Sequence, residues 1–195
     1  MKIILIRHGE TKPNVVRTYS GWNNVSLNKK GKAQAKKVGK HLSDEKIDMI
    51  YSSDLKRARE FAKIAFKRSP IKASADLREI NFGAFEGLTH EEIMNSYPEQ
   101  YRAWLISPEK IAIPKGESLC DLKKRVFNFF SRIKKADKYM TIAIVSHAGP
   151  IRSIIAHLNR SKNFWKIDID NASITVLEHK NGKMLIKKIN DTSFL

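Results

Sequence analysis

The chain predicts an α/β protein, a three-layer α/β/α arrangement around a mostly parallel central sheet. Three observations lead there. Short runs rich in Ile and Val alternate with longer stretches whose apolar residues recur every three or four positions. The two clearest runs are apolar without interruption, as in strands covered on both faces. Gly, Pro, Asn and Ser punctuate the segments between them.

Residues 2–6 form the first expected strand, β-branched at Ile3, Ile4 and Ile6. A helix is expected over 28–43, with Ala35, Val38 and Leu42 as its apolar stripe and Lys29, Lys32, Lys36 and Lys40 mostly opposite. Residues 48–51 make a second strand, ended by Ser52-Ser53, and a helix follows over 54–68. A short strand is expected near 71–73. Residues 80 to 116 differ in composition: Gly83, Gly87, Pro98, Pro108, Pro114 and Gly116 are interspersed with Phe82, Phe85, Tyr97, Tyr101 and Trp104. That mixture suits a small cap of short helices and loops, inserted in a single domain spanning 1–195. The aromatics Phe85, Tyr97, Tyr101 and Trp104 either floor a pocket for a ring or simply fill the core. Leu119, Leu122, Val126, Phe129 and Ile133 mark a helix over 118–135, ahead of the clearest strand, 141–145, and a helix over 149–159. Two last strands, 173–178 and 184–189, flank Asn181-Gly182, a strong hairpin signal.

The composition narrows the possibilities. Among 195 residues, 37 Lys and Arg face 20 Asp and Glu, a net charge of +17. Cys120 is the single cysteine, which excludes an intramolecular disulfide and a cysteine zinc cage and fits a reducing compartment. No stretch reaches the roughly 18 apolar residues that span a bilayer. The start has too short an apolar run for a signal peptide, so the expectation is a cytoplasmic protein without a membrane partner. So basic a chain raises nucleic-acid binding, through phosphate contacts that release counterions. The lysines are spread along the chain and no zinc-finger, RNP-like or zipper spacing occurs, so no nucleic acid is expected. The same field would concentrate small phosphorylated substrates.

In an open α/β sheet, ligands bind beyond the carboxyl ends of the strands. Two expected strands end there in a histidine: Arg7-His8-Gly9-Glu10 and Ser146-His147-Ala148-Gly149. A glycine close behind each lets backbone approach a ligand. Arg57, in Ser52-Ser53-Asp54-Leu55-Lys56-Arg57-Ala58, falls about one turn into a helix starting at the same edge. A cation there opposes the helix dipole, which suggests a compensating anion. Glu79, in Leu77-Arg78-Glu79-Ile80, leads into the cap, where partial burial would suit a carboxyl to proton donation.

Together, Arg7-His8-Gly9-Glu10-Thr11 with Asn14, the Ser52 to Ala58 segment, Leu77-Arg78-Glu79 and Ser146-His147-Ala148-Gly149 resemble the histidine phosphatase superfamily, in its phosphoglycerate mutase-like branch. The resemblance runs from residue 2 to about 178. It implies that His8 accepts a phosphoryl group, that Arg7, Arg57 and His147 clamp the phosphoryl oxygens, and that Glu79 protonates the leaving alkoxide. Asn14, Ser20, Gly21 and Ala148 complete the implied phosphate-binding set. The cations Arg7 and Arg57 would keep His8 neutral and nucleophilic. Asn24 and Phe61 stand where the family often has Asp and Thr.

The resemblance further implies a metal-independent phosphatase with no cofactor, a small phosphorylated metabolite as substrate and inorganic phosphate as product. Within it, α-ribazole-5′-phosphate phosphatases and metal-independent phosphoserine phosphatases look nearest. A 2,3-bisphosphoglycerate-dependent phosphoglycerate mutase is the alternative, disfavoured because a short cap admits water. A basic nucleic-acid-binding protein with a vestigial site is the alternative from another class. A homodimer is left open.

Overall fold

The computed structural model describes residues 1–67, 69–135, 140–161 and 163–195. In chain order it contains β1 (Lys2–Arg7), α1 (Lys12–Val16), α2 (Lys29–His41), β2 (Met49–Ser53), α3 (Lys56–Ala65) and β3 (Ile71–Ser74). There follow α4 (His90–Ser96), α5 (Pro98–Ile106), α6 (Leu119–Lys135), β4 (Thr141–Ser146), α7 (Ala148–Leu158), β5 (Ile174–Lys180) and β6 (Lys183–Asp191).

The six strands form one sheet in the order β3-β2-β4-β1-β5-β6. The first four are parallel, while β5 and β6 run antiparallel as a hairpin. The hairpin turns at Asn181 and Gly182, both with positive φ (51° and 74°), the backbone that an Asn-Gly pair favours.

Strand periodicity divides the core into two layers. Ile3, Leu5, Ile142 and Ile144 face one side, where they pack with Leu122, Val126 and Phe129 of α6 and Ile151, Ile154 and Ile155 of α7. Ile4, Ile6, Ala143 and Val145 face the other, against Ala35 and Val38 of α2 and Ala58, Phe61 and Ala62 of α3. The lysines of α2 point away from that contact, as the amphipathic reading requires.

All six expected strands are present and several run further than expected. β2 continues through Ser52 and Ser53, and β4 through Ser146, because each small polar residue is still held in the ladder. Residue 68, the last of the helix expected over 54–68, lies outside the described residues. Between 80 and 116 the short helices α4 and α5 appear. Phe85, Tyr101 and Trp104 are 2% exposed or less and pack against one another. They fill the core, so they do not floor a ring pocket. Among the described residues no helix is long and apolar enough to cross a membrane.

Candidate active site

The sheet register brings the two histidines together. β1 and β4 are adjacent and parallel, with Arg7 opposite Ser146, so His8 and His147 are the next residue on each strand. Their ring centroids lie 4.9 Å apart at an interplanar angle of 65°. Both are buried, His8 at 4% and His147 at 0% exposure.

The tautomer of His8 is fixed by its own turn. Nδ1 lies 2.7 Å from the Gly9 carbonyl, which can only accept, so Nδ1 carries the proton and Nε2 the lone pair. Arg57 donates its Nε–H to that Nε2 at 3.2 Å. Burial, then the charges of Arg57 and Arg7, hold the His8 pKa well below 6.5. Desolvation leads, a larger cause than the arginines that the sequence pointed to. His147 is held well below 6.5 as well, by burial and then by Arg57.

Arg57 is the second residue of α3 and is 1% exposed. The sequence suggests a compensating anion here; among the protein's own groups, backbone oxygens hold the guanidinium. Its guanidinium donates to the carbonyls of Gly21 at 2.7 Å, Asn23 at 2.9 Å and Ser20 at 3.3 Å. Burial lowers its pKa to about 10, which leaves it charged at neutral pH. α3 starts here because Leu55 ends the extended segment and Asn24, reaching from another loop, accepts the Lys56 N–H at 2.8 Å. Asn24 thus serves as a cap supplied from a distance.

Glu79 sits across from the histidines. Its carboxylate accepts the N–H of Gly149 (3.1 and 3.2 Å) in the first turn of α7, and that of Ile80 (2.9 Å). Gly149 is required for this approach, since a Cβ there would lie 2.1 Å from Glu79 Oε1. Ala148, the first residue of α7, stands beside it at 7% exposure. Arg125 secures the Glu79 segment from behind. It donates to the carbonyls of Asp76, Arg78 and Glu79 and pairs with Glu117 at 2.9 Å.

Three buried polar atoms in this region, Nε of Arg7, Nδ1 of His147 and Oγ of Ser20, have no hydrogen-bond partner. Buried polar groups are rarely left unpaired. Arg7 precedes His8, the His147 ring packs against it and the backbone of Ser20 meets Arg57, so the residues gathered around His8 suit an anionic ligand. Asn14 has its Oδ1 committed to the Thr11 N–H and hydroxyl and to Asn171 Nδ2, which leaves its amide N–H groups for such a ligand. Gly21 departs from the implied role: its N–H is taken by Glu86 and its carbonyl by Arg57, so it shapes the loop rather than donating to phosphate.

Sequence reasoning missed Ser53, Asn171 and Glu86 as parts of this site. Ser53 Oγ lies 2.8 Å from His147 Nε2 and also accepts the Leu55 N–H, so it holds the ring against the start of α3. Asn171 Nδ2 bonds the His8 carbonyl at 3.3 Å. Ser53 lies inside the Ser52 to Ala58 motif, whereas Glu86 and Asn171 lie outside the motifs quoted above.

Such a site, two neutral imidazoles and two guanidiniums at the carboxyl edge of a parallel sheet, defines a phosphoryl-handling enzyme. The chain matches the model of the Histidine phosphatase superfamily (branch 1) over residues 3–192. It is 37% identical over 202 residues to phosphoserine phosphatase 1 of Hydrogenobacter thermophilus, covering 100% of this chain and 94% of that protein. Among solved structures, the α-ribazole phosphatase of Shigella flexneri superposes with a TM-score of 0.91 at 30% identity, covering 98% and 96% of the two chains. A phosphoserine phosphatase mutant of Entamoeba histolytica, in complex with phosphoserine, gives 0.87 at 28% identity, covering 100% and 98%. The chain therefore belongs to the histidine phosphatase superfamily, branch 1, and is a phosphoric monoester hydrolase.

Proposed function

We propose that the protein hydrolyses small phosphate monoesters through a phosphohistidine at His8, with phosphoserine or α-ribazole-5′-phosphate as the leading substrate classes. The observation that carries this reading is the set of unpartnered atoms on Arg7, His147 and Ser20, around a histidine whose Nε2 lone pair is free of a proton.

In the first step Nε2 of His8 attacks phosphorus as the ester P–O bond breaks, and Glu79 gives its proton to the departing alkoxide. Arg57 shifts its Nε–H from Nε2 to a phosphoryl oxygen, and Arg7, His147, Asn14 and Ser20 hold the others. Arginine suits that clamp because its planar fork binds two oxygens at once. In the second step Glu79 takes a proton from water, whose oxygen attacks phosphorus while the P–Nε2 bond breaks. Inorganic phosphate leaves, and His8 returns to its neutral form with Nδ1–H still on Gly9. Every proton and phosphoryl transfer is thus assigned to a group of this chain. Proton transfer to the leaving group contributes on the order of 10²–10⁴ in rate. The segment 80–116 serves as a small cap beside the Glu79 edge, open enough for water to reach the phosphoenzyme, and the single cysteine fits a cytoplasmic setting.

The test is turnover of p-nitrophenyl phosphate. Activity is expected to persist in EDTA, to be blocked by vanadate and to vanish in His8→Ala. Persistent turnover in that variant would remove His8 from the nucleophile's role.

A further inference from the structure

The loop 20–23 has a partner on each edge. Its carbonyls, at Ser20, Gly21 and Asn23, all receive the guanidinium of Arg57. Its N–H groups, at Gly21, Trp22 and Asn23, all donate to one carboxylate, Glu86, at 3.0, 2.6 and 3.4 Å. Glu86 also accepts the N–H of Phe82 at 3.3 Å, on the segment that carries Glu79. Trp22 ties the same two segments, through its indole N–H to the Glu79 carbonyl at 2.9 Å. A carboxylate that accepts several backbone N–H groups binds them far more firmly than a neutral acceptor would. The arrangement also needs Gly21, since a Cβ there would lie 2.0 Å from the Ile80 carbonyl and 2.5 Å from Glu86 Oε1.

We propose that Glu86 is a positioning residue for the phosphoryl clamp. Its carboxylate fixes the loop 20–23, the loop's carbonyls fix Arg57, and Arg57 is thereby aimed at the oxygens of a phosphoryl group on His8. The negative charge acts in the same direction, because Glu86 favours the charged form of the buried Arg57 guanidinium. The bond to Phe82 makes the arrangement more than a local strap. It keys the Arg57 side of the site to the Glu79 side, so one carboxylate sets the distance between clamp and acid. The inference rests on the phosphatase reading, since it assigns Glu86 a task within that chemistry.

The experiment compares wild type, Glu86→Ala, Glu86→Gln, Arg57→Ala and the double variant Arg57→Ala/Glu86→Ala. It measures turnover of p-nitrophenyl phosphate and vanadate affinity by calorimetry, with circular dichroism as the check on folding. Misplacing a catalytic group by about an ångström costs on the order of 10²-fold, so Glu86→Ala is expected to lose about 10- to 100-fold in kcat/KM. Vanadate affinity should weaken in parallel, and Glu86→Gln, which keeps an acceptor oxygen, should recover part of both. In the Arg57→Ala background, removing Glu86 should change vanadate affinity by less than about threefold, because the two side chains act as a unit.

Unchanged vanadate affinity in a folded Glu86→Ala protein would overturn the proposal, as would the same fold-loss with and without Arg57. If Glu86→Ala does not fold, the comparison is made with Glu86→Gln, and wild-type vanadate affinity there refutes the role. A wild type that neither turns over the ester nor binds vanadate would instead sink the phosphatase reading itself.

Discussion

Gly149 shows how one missing methyl group can carry chemistry. Its amide holds the Glu79 carboxylate, and a Cβ would meet the end of that side chain rather than backbone. Gly149→Ala is therefore expected to fold normally but to displace the carboxyl. In single-turnover measurements of the first step alone, phosphoryl transfer from alkyl phosphates, which need a proton on the leaving group, should slow about 10- to 100-fold, and that from p-nitrophenyl phosphate less. Equal losses on both esters would show that Glu79 does not supply the proton. His8, His147, Arg7 and Arg57 were legible in the sequence because each follows or starts an element whose pattern is strong. Ser53, Asn171 and Glu86 were not, because their roles come from partners 94, 163 and 65 residues away or nearly so. No local pattern records a contact of that range.

At the level of elements, strands were easier to read than short helices. β1 and β4 are apolar throughout because the sheet is covered on both faces, and that burial is written into every residue. α1 went unread for the opposite reason. It has five residues, none of them buried, and its apolar pair Val15 and Val16 lies in solvent at 60% and 49% exposure, so it has no stripe to detect. α2 is held at its start by Asn28, whose Oδ1 accepts the Gly31 N–H at 2.8 Å while its Nδ2 reaches Glu10. Gly31 in turn lies against the backbone of Glu10, just beyond the turn that carries His8. Asn28→Ala should cost about 1 kcal/mol of stability, the usual worth of an N-cap. Urea unfolding checks this; a change below about 0.3 kcal/mol would mean the cap bond is replaced by water at no cost.

For the whole molecule, two buried neutral histidines make a prediction about pH. Both folded-state pKa values lie well below the ordinary 6.5, so the unfolded chain binds protons that the folded chain refuses. Stability is then fully present above pH 6.5 and is lost as pH falls from there toward the folded values. Each histidine contributes a slope of up to about 1.4 kcal/mol per pH unit. Urea midpoints between pH 8 and pH 5 should fall, and the fall should be shallower in His147→Gln; a flat profile would mean the rings are not buried neutral. Asp54, Asp121 and Asp191 also have lowered pKa values, but they act only in the more acidic carboxylate range. The layered α/β frame was legible because its cause, two apolar faces per strand, is local, whereas the joining of its loops into one clamp is not. The central claim is that His8 carries the phosphoryl group. Glu79→Gln should still form the phosphoenzyme from p-nitrophenyl phosphate, whose leaving group needs no proton, yet hydrolyse it slowly. Alkaline quench and peptide mapping of that variant should find one phosphoryl group, on His8. A burst of nitrophenolate with His8 unmodified, or with the phosphoryl group on another residue, would contradict the account.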